Sequence, residues 1–320
     1  MRCYEHMQAP GMDLLTEVSR TAYDTAKQVS SVARQMGRTW RLTETYGCTG
    51  WDFPFAGHKA LGDWQFALGI NLRCQHLAWY TMLGQAKRDF PAAISYQSPW
   101  WDLYPKVEDY FGRIAAVMTR GAEVRDLLVL HANESMWLLV GKGWRTKRSV
   151  KDMEVMVAQM RDTLFTHALD FDYGDEELLS RCGRIVQRDG KPVFRMAKAD
   201  YKAVLVPPLL TMRATTLRLL KDFREPGGLV VFAGGPPAAL DAVPSTAVAE
   251  FARTCASAQA AGEELIRAVE PACRRVSVHD GSGDRIAPAL HLLREDADNF
   301  YLFICNTGHY RTQFTAAHQG

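Results

Sequence analysis

The chain has 320 residues, 47% of them hydrophobic and 23% charged, with a formal net charge of +2. That length and composition suit a globular protein of two domains, each with its own core, and the near-neutral charge argues against a nucleic-acid or membrane-surface binder. No apolar run approaches the roughly 18 residues that span a bilayer, and the leading MRCYEHMQAPGMD lacks the apolar centre of a signal peptide, so a cytoplasmic chain is expected.

In chain order, residues 2–7 read as a short strand that ends in the turn around Pro10 and Gly11. Residues 14–36 carry Leu15, Val18, Ala22, Val29, Val32 and Met36 near helical spacing, with Gly37 as the stop. A second strand is expected at 39–43, a loop at 46–54, a helix at 56–68, a third strand at 70–76, and a helix beginning near Pro99. Alternating strand and helix imply a parallel α/β arrangement.

From Val124 the pattern restarts. The run VRDLLVLH is apolar enough for a central parallel strand, and a helix is expected at 150–168. A strand at 203–206, a helix at 215–223 and a strand at 229–233 complete a doubly wound pattern, followed by one or two helices within the Ala-rich 246–269. Residues 289–293 and 299–306 flank the turn-prone EDADN and predict a β-hairpin.

The seven cysteines are odd in number and scattered without a CxxC pair, so they read as reduced thiols rather than a disulfide framework or a zinc site. No metal motif is present, and Asp170, Asp172 and Asp175 only loosely imitate a calcium loop. Gly234-Gly235-Pro236-Pro237 matches no phosphate-loop pattern and reads as a strand-end turn. Neither Cys182, at the end of a helix, nor Cys255, inside a helix-like stretch, sits on the glycine-flanked elbow that a nucleophilic cysteine needs.

Several blocks together resemble a known family. They are Glu44-Thr-Tyr-Gly-Cys-Thr-Gly-Trp51, Lys59, Asp63-Trp64, Gly69-Ile70-Asn71, His76 and Pro99-Trp100-Trp101, with the upstream PGMD and KQVSSVARQ. They are similar to the C-terminal part of glycoside hydrolases of clan A, of the α-L-rhamnosidase-like and β-galactosidase-like kinds. The resemblance implies an α/β fold: C-terminal units of a (β/α)8 barrel over residues 1–122, then a doubly wound (flavodoxin/amidotransferase-like) domain over 123–275. A β-hairpin opening a β-sandwich would occupy 276–320. It implies Asp13, Glu44 and His76 at the ends of strands six, seven and eight, with Glu44 as nucleophile or base. The clan's acid/base carboxylate follows strand four, which no residue of this chain represents.

The chemistry suits the residues. Glycoside hydrolysis takes two carboxyl groups flanking the scissile bond, and aromatic rings stack on the apolar faces of sugars. Glu44 has Tyr46 and Trp51 as a candidate aromatic wall, with Gly47 and Gly50 allowing a tight loop; a solvated or helix-capping glutamate is the alternative. Asp13 is read equally as a helix N-cap or as pocket lining. His76 is read as bonding a sugar hydroxyl, as orienting Glu44, or as a structural histidine. Trp51 and Trp79 are expected at the sugar, Trp100 and Trp101 in packing, and Asn71 in tying the strands together. The expected partner is a carbohydrate substrate, with no nucleic acid, membrane or cofactor, and homo-oligomerisation through the amidotransferase-like domain is possible. The competing class is a non-catalytic carbohydrate-binding or oligomerisation module.

Overall fold

The structure is a computed structural model that describes residues 1–15, 22–84, 94–287 and 289–307. The chain divides into two compact units. One holds the described residues of Tyr4–Ala33, Arg38–Val124 and Ala287–Gly320, and the other Met1–Cys3, Arg34–Gly37 and Arg125–Ile286.

The first unit alternates strand and helix: β1 (Gly11–Leu15), α1 (Ala22–Gln35), β2 (Leu42–Gly47), α2 (Phe55–Ala67), β3 (Leu72–Gln75), α3 (Pro105–Met118) and the short β4 (Ala122–Glu123). Strands β1, β2 and β3 pair in parallel in that order, which is the expected α/β arrangement. Its first elements are displaced, however. Residues Arg2–His6 form a 3-10 turn rather than a strand. The strand begins after Pro10 instead, so Leu14 and Leu15 belong to it and not to the helix. Val18, one of the predicted helical positions, lies outside the described residues. Strand β2 also runs on to Gly47, absorbing Glu44 and Tyr46.

Helix α2 is buried along most of its length. Its Gly62 lets the Phe111 ring of α3 approach so closely that a Cβ there would lie 2.2 Å from the ring, and Phe66 stacks on the same ring at 5.7 Å. Asn71 does tie the strands together: its Oδ1 accepts from the Arg41 N–H and its Nδ2 donates to the Thr39 carbonyl, both at 2.9 Å.

The second unit carries β5 (Leu127–Leu130), α4 (Asn133–Leu139), α5 (Arg148–Thr166), β6 (Phe171–Gly174) and α6 (Glu176–Cys182). A meander of β7 (Gly183–Arg188), β8 (Lys191–Met196) and β9 (Ala199–Tyr201) follows. The chain continues through β10 (Ala203–Val206), β11 (Thr211–Met212), α7 (Ala214–Arg224), β12 (Leu229–Ala233), β13 (Ala239–Leu240), β14 (Val243–Pro244), α8 (Ala247–Ala252), β15 (Ala256–Ala258) and α9 (Glu263–Cys273). The main sheet is parallel throughout in the order β15-β12-β10-β5-β6. That is the flavodoxin-type order, with the change of direction between β5 and β10. Strands β10 and β12 fall where the sequence places them. The meander and β15 were not anticipated, because charged residues interrupt the alternation in the one and an Ala-rich run disguises the other.

Strands β16 (Ala289–Glu295) and β17 (Phe300–Asn306) form the expected hairpin, and β16 pairs antiparallel with β4. The buried Glu123 fixes that junction within the first unit. It receives Arg41 at 2.8 Å and Arg294 at 2.9 Å, while Arg294 also donates to the Gly121 carbonyl at 2.7 Å.

Candidate functional site

Parallel register decides which side chains share a face. Asp13 pairs with Glu44, and Glu44 with Cys74, so these three side chains point the same way from β1, β2 and β3. The opposite face is the packed one: Met12, Leu14, Thr43 and Thr45 are buried, and Gln65 of α2 donates to the Thr43 hydroxyl at 2.9 Å. Arg73 and Gln75 of β3 also point to that side, where both donate to Glu108 of α3 at 2.9 and 2.8 Å. The face bearing Asp13 and Glu44 is the exposed one, with Asp13, Leu15 and Cys74 open to solvent and Glu44 half-buried. Asp13 is therefore mid-strand, and it caps no helix.

The register slips between Asp13 and Leu15, which faces Gly47 rather than Tyr46. The extra residue is a β-bulge, and Tyr46 carries it with φ +74°, a conformation that a bulky side chain adopts only when its surroundings hold it. Those surroundings are on the helix side. Tyr46 is fully buried, its ring centroid lies 4.3 Å from that of His58, and its hydroxyl donates to the His58 carbonyl at 3.3 Å. Burial pushes its phenol up to about 12, and burial likewise pulls His58 down to about 4. Tyr46, expected as an aromatic wall of the pocket, thus packs away from Glu44. Its role is to hold the bulge.

The bulge returns Gly47 to the Glu44 face. A Cβ on Gly47 would crowd Leu15 at 3.2 Å and lie in ordinary contact with the His76 ring at 3.5 Å, so Gly47 sits directly beneath that ring. His76 is half-buried, and its Nδ1 has no hydrogen-bond partner in the structure. Trp51 and Trp79, expected together at the sugar, do meet: their ring centroids are 5.0 Å apart at 49°. The Trp79 carbonyl accepts from Gln97 at 2.9 Å, which braces that loop.

Cys48 was missed as a neighbour of this group. Burial and then the nearby Asp13 carboxylate raise its thiol, and its φ of +62° continues the tight turn after the bulge. Nothing in the sequence marks it apart from its place in the Gly-Cys-Thr-Gly run. Trp101 stacks on Tyr104 at 5.6 Å and borders a cleft of about 420 Å³ with Gln75, Pro105 and Glu108, on the helix side of β3 rather than with Glu44.

The second unit offers less chemistry. Cys182 ends α6 as expected. Cys255 lies in the turn after α8 rather than within a helix, and its thiol donates to the Phe251 carbonyl at 3.6 Å. The Gly234-Gly235 turn borders a cleft of about 370 Å³ whose lining includes the Glu264 carboxylate, a poor neighbour for a phosphate. Among the described residues, no three His, Cys, Asp or Glu side chains converge in a way that could hold a metal ion, and no helix is long and apolar enough to cross a membrane.

No family model and no curated protein matches the chain. Solved structures do. A rhamnosidase from Novosphingobium sp. PP1Y superposes with a TM-score of 0.64 at 16% identity, over 94% of this chain and 29% of the other. A β-galactosidase from Bacillus circulans sp. alkalophilus gives 0.51 at 13% identity, over 75% and 34%, and one from Rahnella sp. R3 gives 0.50 at 13%, over 73% and 34%. The chain therefore has a fold found in glycoside hydrolases, and it spans about a third of the length of these structures.

Proposed function

We propose that the first unit supplies three consecutive (β/α) units of a glycoside hydrolase barrel, with Glu44 as the nucleophile or base. The observation that carries this reading is the registration of Asp13 beside Glu44 on the exposed strand face. Neighbouring strands lie about 4.8 Å apart, so Asp13 sits close enough beside Glu44 to contact the same sugar. The Trp51–Trp79 pair would stack on the apolar face of a sugar ring, and His76 would turn its unpartnered Nδ1 to a hydroxyl.

The step assigned to Glu44 is attack on the anomeric carbon, or removal of a proton from the water that attacks it. In either case its negative charge stabilises the oxocarbenium-like transition state. Asp13, one strand away, would modulate that charge and hydrogen-bond the sugar. The proton needed by the leaving group is assigned to a carboxyl group of the remaining barrel strands. The flavodoxin-type domain, read as amidotransferase-like, is assigned to assembly.

The test is a Glu44→Gln change in the native polypeptide, assayed on aryl glycosides alongside its intact mass. Loss of turnover with sugar binding retained supports the reading. Undiminished turnover removes Glu44 from the mechanism. A native polypeptide no larger than this chain, with sugar binding but no turnover at all, favours the non-catalytic carbohydrate-binding module.

A further inference from the structure

The even charge of the whole chain conceals a local imbalance in the second unit. Between Ser135 and Lys151 there are five bases, Lys142, Arg145, Lys147, Arg148 and Lys151, and no acid. All five are exposed. Among them stand four exposed apolar side chains: Trp137 (56% exposed), Leu138 (51%), Val140 (43%) and Trp144 (38%).

This segment is tied to its surroundings at two points. Ser135 is buried, and its hydroxyl accepts from the Leu210 and Thr211 N–H groups at 2.9 and 3.3 Å, which pins one side of α4 and turns Trp137 and Leu138 outward. Lys147 donates back to the Leu139 carbonyl at 3.1 Å, and Gly143 at φ +74° makes the tight turn that brings Trp144 round. The Arg2 guanidinium lies 4.5 Å from the Trp137 ring centroid and that of Arg145 5.4 Å from Trp144. The acids flanking the segment are Glu134, which pairs with Arg2 and Arg213, and Asp152, 3.6 Å from Arg148.

We infer that this protrusion docks on the surface of an anionic phospholipid bilayer. Tryptophan and aliphatic side chains ringed by lysine and arginine are the composition that settles at the headgroup boundary, where indole rings sit at the interface and the bases meet lipid phosphates. Two other occupants fit worse. An isologous contact with a second copy would set the five bases against themselves. An acidic glycan would engage the bases, but Leu138 and Val140 offer it no hydrogen bond.

The test uses the full chain with phosphatidylcholine vesicles, with and without phosphatidylglycerol. Binding is expected only to the anionic vesicles, weakening with salt and accompanied by a blue shift of tryptophan emission. Each base near an anionic surface contributes about fivefold in affinity, so Lys142→Glu with Arg145→Glu should weaken binding by about 25-fold or more. Trp137→Ser with Trp144→Ser should abolish the blue shift. All four positions are exposed, and unchanged circular dichroism spectra and melting midpoints confirm that each variant folds. Absence of binding to anionic vesicles, equal binding to neutral ones, or a blue shift that survives the tryptophan changes overturns the inference. Capture by a soluble polyuronate without vesicle binding also overturns it, in favour of an acidic glycan.

Discussion

The acids on β1 and β2 of the first unit and those at the strand ends of the second are treated in opposite ways. At the carboxyl ends of β5 and β6, where open parallel sheets usually bind ligands, every acid is answered. Asp175 accepts from Arg2 at 3.0 Å, from Asn133 at 2.8 Å and from the Glu177 N–H at 2.9 Å. Burial opposes its ionisation, yet Arg2 and these hydrogen bonds hold its pKa below the usual carboxylate range. Glu134 pairs with Arg2 and Arg213, and Arg213 also with Glu177. On the strands of the first unit, Asp13 and Glu44 share an exposed face, and among the described residues no side chain hydrogen-bonds to the Glu44 carboxylate, although the Thr43 hydroxyl donates to the Glu44 carbonyl at 3.0 Å. A paired cluster holds a fold together, whereas a carboxylate without a protein partner is open to a ligand. The comparison therefore favours the first unit as the site, although the second has the topology better known for ligand binding.

The sharpest way to break this contrast is Glu44→Gln in the native polypeptide. Under the hydrolase reading, turnover of an aryl glycoside should fall by about 10⁴-fold or more, with the melting temperature hardly changed, since no folded-state bond is lost. The second unit should respond in the opposite sense, losing stability rather than activity. Arg125 is fully buried, with Asp170 at 2.6 Å and Asp172 at 3.0 Å. Arg125→Met should leave those carboxylates short of a partner and cost about 3–5 kcal/mol in urea unfolding followed by domain-specific probes; a loss below 1 kcal/mol would mean that Arg34 and Tyr201, which also bond to Asp172, suffice.

A pH series probes the same unit more gently. Burial raises Glu176 to about 7, even though its carboxylate accepts from the Arg213 N–H at 2.8 Å. Its folded pKa lies above the unfolded value of 4.5, so the stability it contributes is complete below about pH 4.5 and is lost as pH rises through 7. Glu176→Gln should flatten that decline and stabilise the unit above pH 7 by up to about 3 kcal/mol. An unchanged pH profile would show that Glu176 does not titrate in this window. The smallest effect is expected from Trp51→Ala, which removes one ring of the Trp51–Trp79 pair. Sugar affinity measured by calorimetry should drop by about tenfold, or about 1.4 kcal/mol, with the fold intact. Unaltered affinity would place the sugar elsewhere.

Pattern and composition determined much of this protein. The strand–helix alternation, the central strands β5, β10 and β12, helices α2, α5 and α7 and the β16–β17 hairpin all follow from apolar period and turn residues, which act locally. The meeting of Trp51 with Trp79 joins two residues singled out in the sequence, because each follows the carboxyl end of one of two successive strands. What the sequence could not settle is which way each side chain points. A strand shifted by one residue exchanges its faces, so Asp13 read as a cap or as a site residue until β1 was found to begin at Gly11. The bulge at Tyr46 depends on the contact of its ring with His58, twelve residues on, and no local rule sends a tyrosine to positive φ. Buried pairs such as Arg125 with Asp172 join residues far apart in the chain, and only the folded backbone brings them within hydrogen-bonding distance.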